Sequence, residues 1–284
     1  MEVIRDREAL VAALASLRAD GARVAFVPTM GALHAGHVAL IEAAKRPGTK
    51  VVASIFVNPK QFGAGEDLSR YPRRELADIR MLTEAGCDLL WLPGVEVMYP
   101  EGHATTIRVS GVTEPLEGAS RPGHFDGVAT VVAKLFNQVG PDAAYFGEKD
   151  FQQLAVIRRM VADLDFPIEI VGVPTQRDDD GLALSSRNIY LDEEQRAKAV
   201  ALPRALGVAA RAIGRGEDVA SVLADARATL TAAGFEVDYL ELADAETLTP
   251  HGSGDTATDR PRRLLAAARM GSTRLIDNIA VMDG

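Results

Sequence analysis

Arg23-Val24-Ala25-Phe26-Val27-Pro28-Thr29-Met30-Gly31-Ala32-Leu33-His34-Ala35-Gly36-His37 decides the fold. The run Arg23–Val27 is apolar without alternation, the pattern of a strand covered on both faces of a parallel sheet. A proline and a glycine break the run, and an amphipathic pattern follows over Gly36–Lys45. A strand that feeds a helix through a glycine-containing turn is the opening of a βαβ unit.

The same alternation extends outward. Strands are predicted at Lys50–Val57, Asp88–Leu92, Ala143–Phe146 and Ile168–Val173, with helices at Arg7–Ala19, Arg73–Ala85, Asp126–Asn137 and Phe151–Asp163. This implies an α/β fold: a Rossmann-like doubly wound parallel sheet. Its ligand crevice is expected beyond the carboxyl ends of the strands. After residue 176 the pattern changes to Ala-rich helices, Asp192–Ile213 and Asp218–Ala233, then strands Glu236–Glu241, Leu264–Ala268 and Thr273–Ile279. The expected division is a ligand-binding domain over 1–176 and a smaller C-terminal α+β cap domain over 177–284. Pro250–Arg263 is polar and reads as a flexible loop. Within it, Gly252-x-Gly254-x-x-Ala257 matches a loose dinucleotide pattern but follows no clear strand, so it is read as chance.

Of 284 residues, 31 are Lys or Arg and 40 are Asp or Glu, a net charge of -9. That argues against a general nucleic-acid binder, which needs a basic face. It leaves room for one anionic ligand in a local pocket. Cys87 is the single cysteine. One cysteine excludes an intramolecular disulfide and a cysteine-clustered metal site, and Cys87 lies outside every motif, so a structural thiol is expected. No secretory h-region opens the chain and no apolar run approaches the ~20 residues of a membrane span. A cytoplasmic setting without membrane partners follows as the expectation.

Chemistry concentrates just after the predicted strands. His34-x-Gly36-His37 stands at a strand-to-helix junction, where free N–H groups and the helix dipole favour anions. Two imidazoles three residues apart share one side of a first turn and can donate to phosphate oxygens. Gly36 leaves room for a nucleotide to approach. Zinc is disfavoured, because no third ligand flanks the pair. After the second strand, Asn58-Pro59 ends the run and places Gln61 near the crevice, able to donate and accept. The fourth strand opens into Gly147-Glu148-Lys149-Asp150, with Gln153 one turn on. Lys149 could neutralise phosphate, and Asp150 could hold ribose hydroxyls or Mg²⁺. Ser185, Ser186 and Arg187 offer two hydroxyls and a guanidinium to a triphosphate. Asp178–Asp180 reads as a solvated turn. Val128, Val131 and Val132, after Arg121-Pro122-Gly123-His124, suit core packing or the wall of an apolar pocket. A Walker-type loop and a Gly-x-Ser-x-Gly elbow are both missing.

Taken together, His-x-Gly-His, Phe56-Val57-Asn58-Pro59-x-Gln61-Phe62, Gly147–Asp150 and Ser185-Ser186-Arg187-Asn188, in this order, resemble the pantothenate synthetase (pantoate–β-alanine ligase) family. Matching residues also include Tyr71–Arg73, Arg121–Val132 and the tail Thr273–Ile279, so the resemblance covers nearly the whole chain. It implies a HIGH-motif nucleotidyltransferase in which (R)-pantoate, β-alanine and ATP give pantothenate, AMP and pyrophosphate through pantoyl-adenylate. It implies ATP and Mg²⁺ as cosubstrate and cofactor, no nucleic-acid partner, and a homodimer. By resemblance, His37, His34, Lys149 and Arg187 are catalytic. Met30, Gly31, Ala32, Leu33, His34, Ala35, Gly36 and His37 line the ATP site with Gly147, Glu148, Lys149 and Asp150, and with Gln176, Leu184, Ser185, Ser186 and Arg187. Gln61 and Gln153 bind pantoate's polar groups, while Pro28, Met30, Phe56, Val131, Val132 and Phe146 meet its gem-dimethyl group. No metal ligands are assigned. Gly63–Tyr71 is long enough to serve as a lid. Two positions depart from the family. Leu184 replaces a frequent Met, conserving volume. Gln176 stands where family members often carry an apolar residue; a backbone contact to adenine would survive this, and a side-chain contact would not. Other readings are an adenylyltransferase that keeps the nucleotide in its product, and a silent nucleotide-binding protein.

Overall fold

Among the described residues, 1–251 and 260–282 of a computed structural model, six parallel strands form one sheet and three antiparallel strands another. The elements run β1 (Glu2–Ile4), α1 (Arg7–Leu17), β2 (Arg23–Thr29), α2 (Ala35–Ala44), β3 (Thr49–Ile55), α3 (Glu75–Glu84), β4 (Leu89–Trp91), α4 (Val95–Met98), α5 (Glu117–Ser120), α6 (His124–Val139), β5 (Ala143–Gly147), α7 (Phe151–Asp163) and β6 (Glu169–Val173). They continue with α8 (Glu193–Ala199), α9 (Ala201–Gly214), α10 (Val219–Ala232), β7 (Phe235–Asp244), β8 (Arg262–Met270) and β9 (Thr273–Val281). Two units emerge. The first comprises Met1–Ser110, Arg121–Glu148 and Val156–Pro174; the second comprises Gly111–Ser120, Lys149–Ala155 and Thr175–Gly284. Besides the stretch after 176, the second unit therefore takes two short segments from within 1–176.

The first unit's sheet has the order β1-β4-β3-β2-β5-β6. Its central strands β2, β3 and β4 are apolar on both faces because both are covered. Along β2, Ala25 and Val27 pack with Leu40, Ile41 and Ala44 of α2 and Leu82 of α3. The alternate residue Phe26 meets Phe136 of α6 edge-on, 6.4 Å between ring centroids, and Phe136 also contacts Phe146 and Phe166. Burying each such side chain contributes about 1.5–3 kcal/mol. Strand order reverses between β2 and β5, so the switch point lies beyond Thr29 and Gly147. Cys87 is buried in the α2–α3 layer, its thiol donating to the Val51 and Leu89 carbonyls. Burial pushes that thiol up to about 11, as suits a structural cysteine.

In the second unit, α9 and α10 cover the sheet β7-β8-β9, with Leu206, Ile213 and Leu230 packed against Leu240, Leu264 and Leu275. The predicted helix Asp192–Ile213 is divided at Val200. Pro203 lacks the N–H that a continuous helix would give to the Ala199 carbonyl, so a new helix starts with proline in its first turn. Strand β1 was not predicted: it is three residues long and buries only Ile4. Of the predicted loop Pro250–Arg263, Arg262 and Arg263 belong to β8. Residues 252–259, with the Gly252-x-Gly254-x-x-Ala257 pattern, lie outside the described residues. Among the described residues, no helix is long and apolar enough to cross a membrane.

Candidate active site

At the switch point, the Thr29 hydroxyl donates to the Ser54 carbonyl and accepts from Gly31 N–H. The chain then turns left-handed through Gly31 (φ 80°) and Ala32 (φ 50°). The second of these is uncommon for a residue with a side chain. It is held by Asp78 of α3, buried at 3% exposure. That carboxylate accepts from Ala32 N–H and Leu33 N–H, both at 2.9 Å. A Cβ on Gly31 would lie 3.0 Å from Asp78 Oδ2.

His34 then caps α2. Its Nδ1 accepts from Gly36 N–H at 3.1 Å, and His37 Nδ1 accepts from His34 N–H at 3.2 Å, a reciprocal capping box. The rings lie 4.2 Å apart. With both Nδ1 atoms accepting, each neutral ring carries its proton on Nε2. The pair is thus set as two donors at a helix N-terminus, an arrangement suited to phosphate oxygens.

Gln61 ends a 3-10 turn, Pro59–Gln61, and is 8% exposed. Its Oε1 accepts from Asn58 Nδ2 at 3.0 Å, and its Nε2 reaches Met30 Sδ at 3.1 Å. Asn58 also donates to the Gly127 carbonyl, while its Oδ1 accepts from Tyr99 Oη and Lys60 N–H. Burial pushes the Tyr99 hydroxyl up to about 12, keeping it a donor. The Gln61 carbonyl receives His124 Nδ1 at 2.8 Å. Beside it, Arg121 pairs with Glu66 at 2.7 Å. Although burial raises the Glu66 carboxyl, Arg121's hydrogen bonds and charge leave it below its usual value. Glu66 lies in the predicted lid Gly63–Tyr71, whose end Tyr71 is buried edge-on to Phe62. Phe56, Val131, Val132 and Phe146 are buried, and Pro28 and Met30 half-buried.

In the second unit, Lys149 is 18% exposed, its Nζ 3.9 Å from Asp150 Oδ2. Gln153 is half-buried. Its neighbour Gln152 is structural, bonding Val112, Pro115 and Glu117 of the 111–120 segment. Gln176 is exposed, and its carbonyl accepts from Leu184 N–H. Asp178 and Asp180 form a turn pinned by Arg196 at 2.9 and 2.7 Å, so the acidic run is a braced turn. Ser185 caps the 3-10 turn Ser186–Tyr190, its Oγ accepting from Arg187 N–H. Among the described residues, no group of three or more His, Cys, Asp or Glu could hold a metal ion by itself.

Four of the residues that build this geometry were not among the site residues expected from the sequence: Asp78, Asn58, Tyr99 and Arg121. Asn58 and Arg121 stood inside quoted motifs. Asp78 and Tyr99 act through contacts distant in the chain, which spacing does not reveal.

The chain is matched by known proteins over its length. Residues 2–280 match the family model described as pantoate-beta-alanine ligase. The pantothenate synthetase of Rhizorhabdus wittichii is 64% identical, over 99% of both chains. A crystal structure of pantothenate synthetase from Thermus thermophilus is 53% identical, with TM-score 0.89, covering 99% of this chain and 100% of that one. A pantoate-beta-alanine ligase from Francisella tularensis, solved in complex with beta-gamma ATP and beta-alanine, is 33% identical with TM-score 0.82, covering 99% of this chain and 97% of that one.

Proposed function

The chain belongs to the pantoate–β-alanine ligase family, and we propose that its residues divide the family's ATP-dependent condensation of (R)-pantoate with β-alanine as follows. Pantoate's carboxylate attacks the α-phosphorus of ATP, pyrophosphate leaves, and the β-alanine amine then displaces AMP from pantoyl-adenylate. In the first unit, His34 and His37 donate from Nε2 to phosphate oxygens that gain charge as the P–O bond to pyrophosphate breaks. His37 passes a proton to the departing group. The backbone of Met30–His37, with Gly147 and Glu148, carries the nucleotide. In the second unit, Lys149, Ser186 and Arg187 hold phosphate charge, Asp150 and the Gln176 and Leu184 backbone contact the nucleoside, and Ser185 orients Arg187.

Gln61 and Gln153 bind pantoate's hydroxyls and carboxylate, and Pro28, Met30, Phe56, Val131, Val132 and Phe146 pack its methyl groups. The observation that carries this reading is the reciprocal His34–His37 cap, in which both Nδ1 atoms accept backbone N–H groups at a helix start, so that a neutral ring has Nε2 as its donor. Preset donors stabilise developing charge without reorganising. Gly63–Tyr71, tied through Glu66 to Arg121, serves as the lid that keeps water from the mixed anhydride.

Mg²⁺ fits the donor set: it favours one or two carboxylates together with substrate phosphates, and Asp150 offers half-exposed carboxylate oxygens. When bound, the ion would neutralise triphosphate charge. We further propose a cytoplasmic homodimer, to be checked by light scattering as a mass near twice 30.3 kDa. The residue roles are tested by single-turnover pyrophosphate release from ATP and pantoate. His37→Ala should slow it about 10²–10³-fold. A rate near wild type removes His37 from the reaction, and AMP formation that needs no pantoate removes the proposed division of roles altogether.

A further inference from the structure

Strand β9 carries Asp277 and Asn278, adjacent polar residues, each at most 5% exposed. Successive strand residues face opposite ways, and these two reach different segments of the second unit. Asp277 receives Arg177 bidentately, with Nη1 and Nη2 each at 2.8 Å. Arg177 in turn donates to the Gly181 carbonyl and pairs across the hairpin with Ala183. Leu184 N–H closes the same hairpin onto the Gln176 carbonyl. From that hairpin the chain runs directly into Ser185-Ser186-Arg187. Asn278 Nδ2 meanwhile donates to the Lys149 carbonyl at 2.9 Å. The two neighbours are themselves locked, because Asp277 Oδ1 accepts from Asn278 N–H at 2.7 Å.

We propose that Asp277 and Asn278 are positioning residues: one dipeptide on β9 holds both the Lys149 turn and the Gln176–Leu184 hairpin, and so sets Lys149 relative to Ser186 and Arg187. The charge placement favours this over plain packing. A buried carboxylate with a bidentate guanidinium is no better for stability than a well-packed apolar pair, but it fixes register. An amide that donates to a backbone carbonyl likewise specifies geometry. Two cationic groups that grip one polyanion gain only when their spacing matches it, which is what this dipeptide controls.

The proposal rests on the reading of Lys149 as an ATP contact, and a double-mutant cycle in the full chain separates the two. ATP affinity is measured calorimetrically without other substrates, alongside the thermal midpoint. Asn278→Ala should weaken ATP binding about tenfold in the wild-type background, with pantoate binding little changed. In a Lys149→Ala background the same substitution should weaken it less than about twofold, because the group it positions is gone. Equal factors in both backgrounds, or wild-type affinity for Asn278→Ala, would overturn the proposal alone. Unchanged ATP affinity for Lys149→Ala would overturn the ATP reading of Lys149 and the proposal with it. Should Asn278→Ala not fold, Arg177→Lys, which loses the bidentate grip but keeps the charge, carries the same cycle against Arg187→Ala.

Discussion

Two backbone N–H groups, those of Ala32 and Leu33, end on the Asp78 carboxylate, and this determines the consequence of changing it. In Asp78→Asn, one carbonyl oxygen and one NH₂ group face two N–H donors. At least one buried bond is lost, at about 1–3 kcal/mol. The left-handed Ala32 then lacks the contact that holds it, and the turn that places His34 relaxes. Urea unfolding should show a lower midpoint, and single-turnover adenylation should slow by about tenfold or more, since small misplacements of reacting groups are costly. Unchanged stability and rate would mean that the turn holds itself. The residue scale also shows what a sequence can reveal. His34 and His37 are legible because three residues of spacing at a strand end place them together. Asp78 lies 46 residues from Ala32 on the predicted helix Arg73–Ala85, and nothing local distinguishes its inward side chain. Adjacent Gln152 and Gln153 make the same point. They are equivalent as letters, yet Gln152 is committed to the 111–120 backbone.

Helix α6 approaches the turn Pro59–Gln61 so closely that a Cβ on Gly127 would lie 2.3 Å from the Lys60 carbonyl oxygen and 2.7 Å from Gln61 Cα. Backbone on both sides leaves no flexible atom to give way. Gly127→Ala should therefore push the turn from the helix, at about 1–3 kcal/mol. It should also break the bond from Asn58 to the Gly127 carbonyl. Because Gln61 rides on that turn, the KM for pantoate should rise about tenfold while calorimetric ATP affinity stays near wild type. Equal losses for both ligands would show that the whole fold, and not the turn, is disturbed. At this scale most of the first sheet was readable, since apolar runs covered on both faces signal themselves. Elements escaped where length or one residue overrode the pattern. Three-residue β1 has too little periodicity to detect, and Pro203 divides a helix whose apolar stripe continues across the break.

The second unit is assembled from three stretches of chain, and a boundary at 176/177 separates groups that depend on one another. Glu117, in the 111–120 segment, is 7% exposed. It receives both Arg274 Nη atoms, at 2.7 and 2.8 Å, and the Tyr239 hydroxyl at 2.8 Å. Phe151 packs under the Arg263 guanidinium at 3.8 Å, and Asn278 holds the Lys149 carbonyl. Composition changes at residue 176, so a sequence read in order places the boundary there. Interleaving is invisible to it, because Glu117 and Phe151 act through contacts distant in the chain and not through a periodic pattern. A fragment of residues 177–284 would keep its helices and its three-stranded sheet. It would lose the Glu117 carboxylate, leaving Arg274 paired only with Asp238 and Tyr239 without its acceptor, and it would uncover the apolar surface that residues 111–120 and 149–155 cover; breaking a buried pair of this kind costs up to about 3–5 kcal/mol. Small domains have only about that much stability in reserve. The fragment should retain helical circular dichroism but show no cooperative urea transition and poor amide dispersion by NMR. A sharp transition near that of the full chain would mean that residues 177–284 fold independently and that the Glu117 contacts are dispensable. Supplying residues 111–176 on a separate chain should restore cooperativity if these contacts are what the fragment lacks.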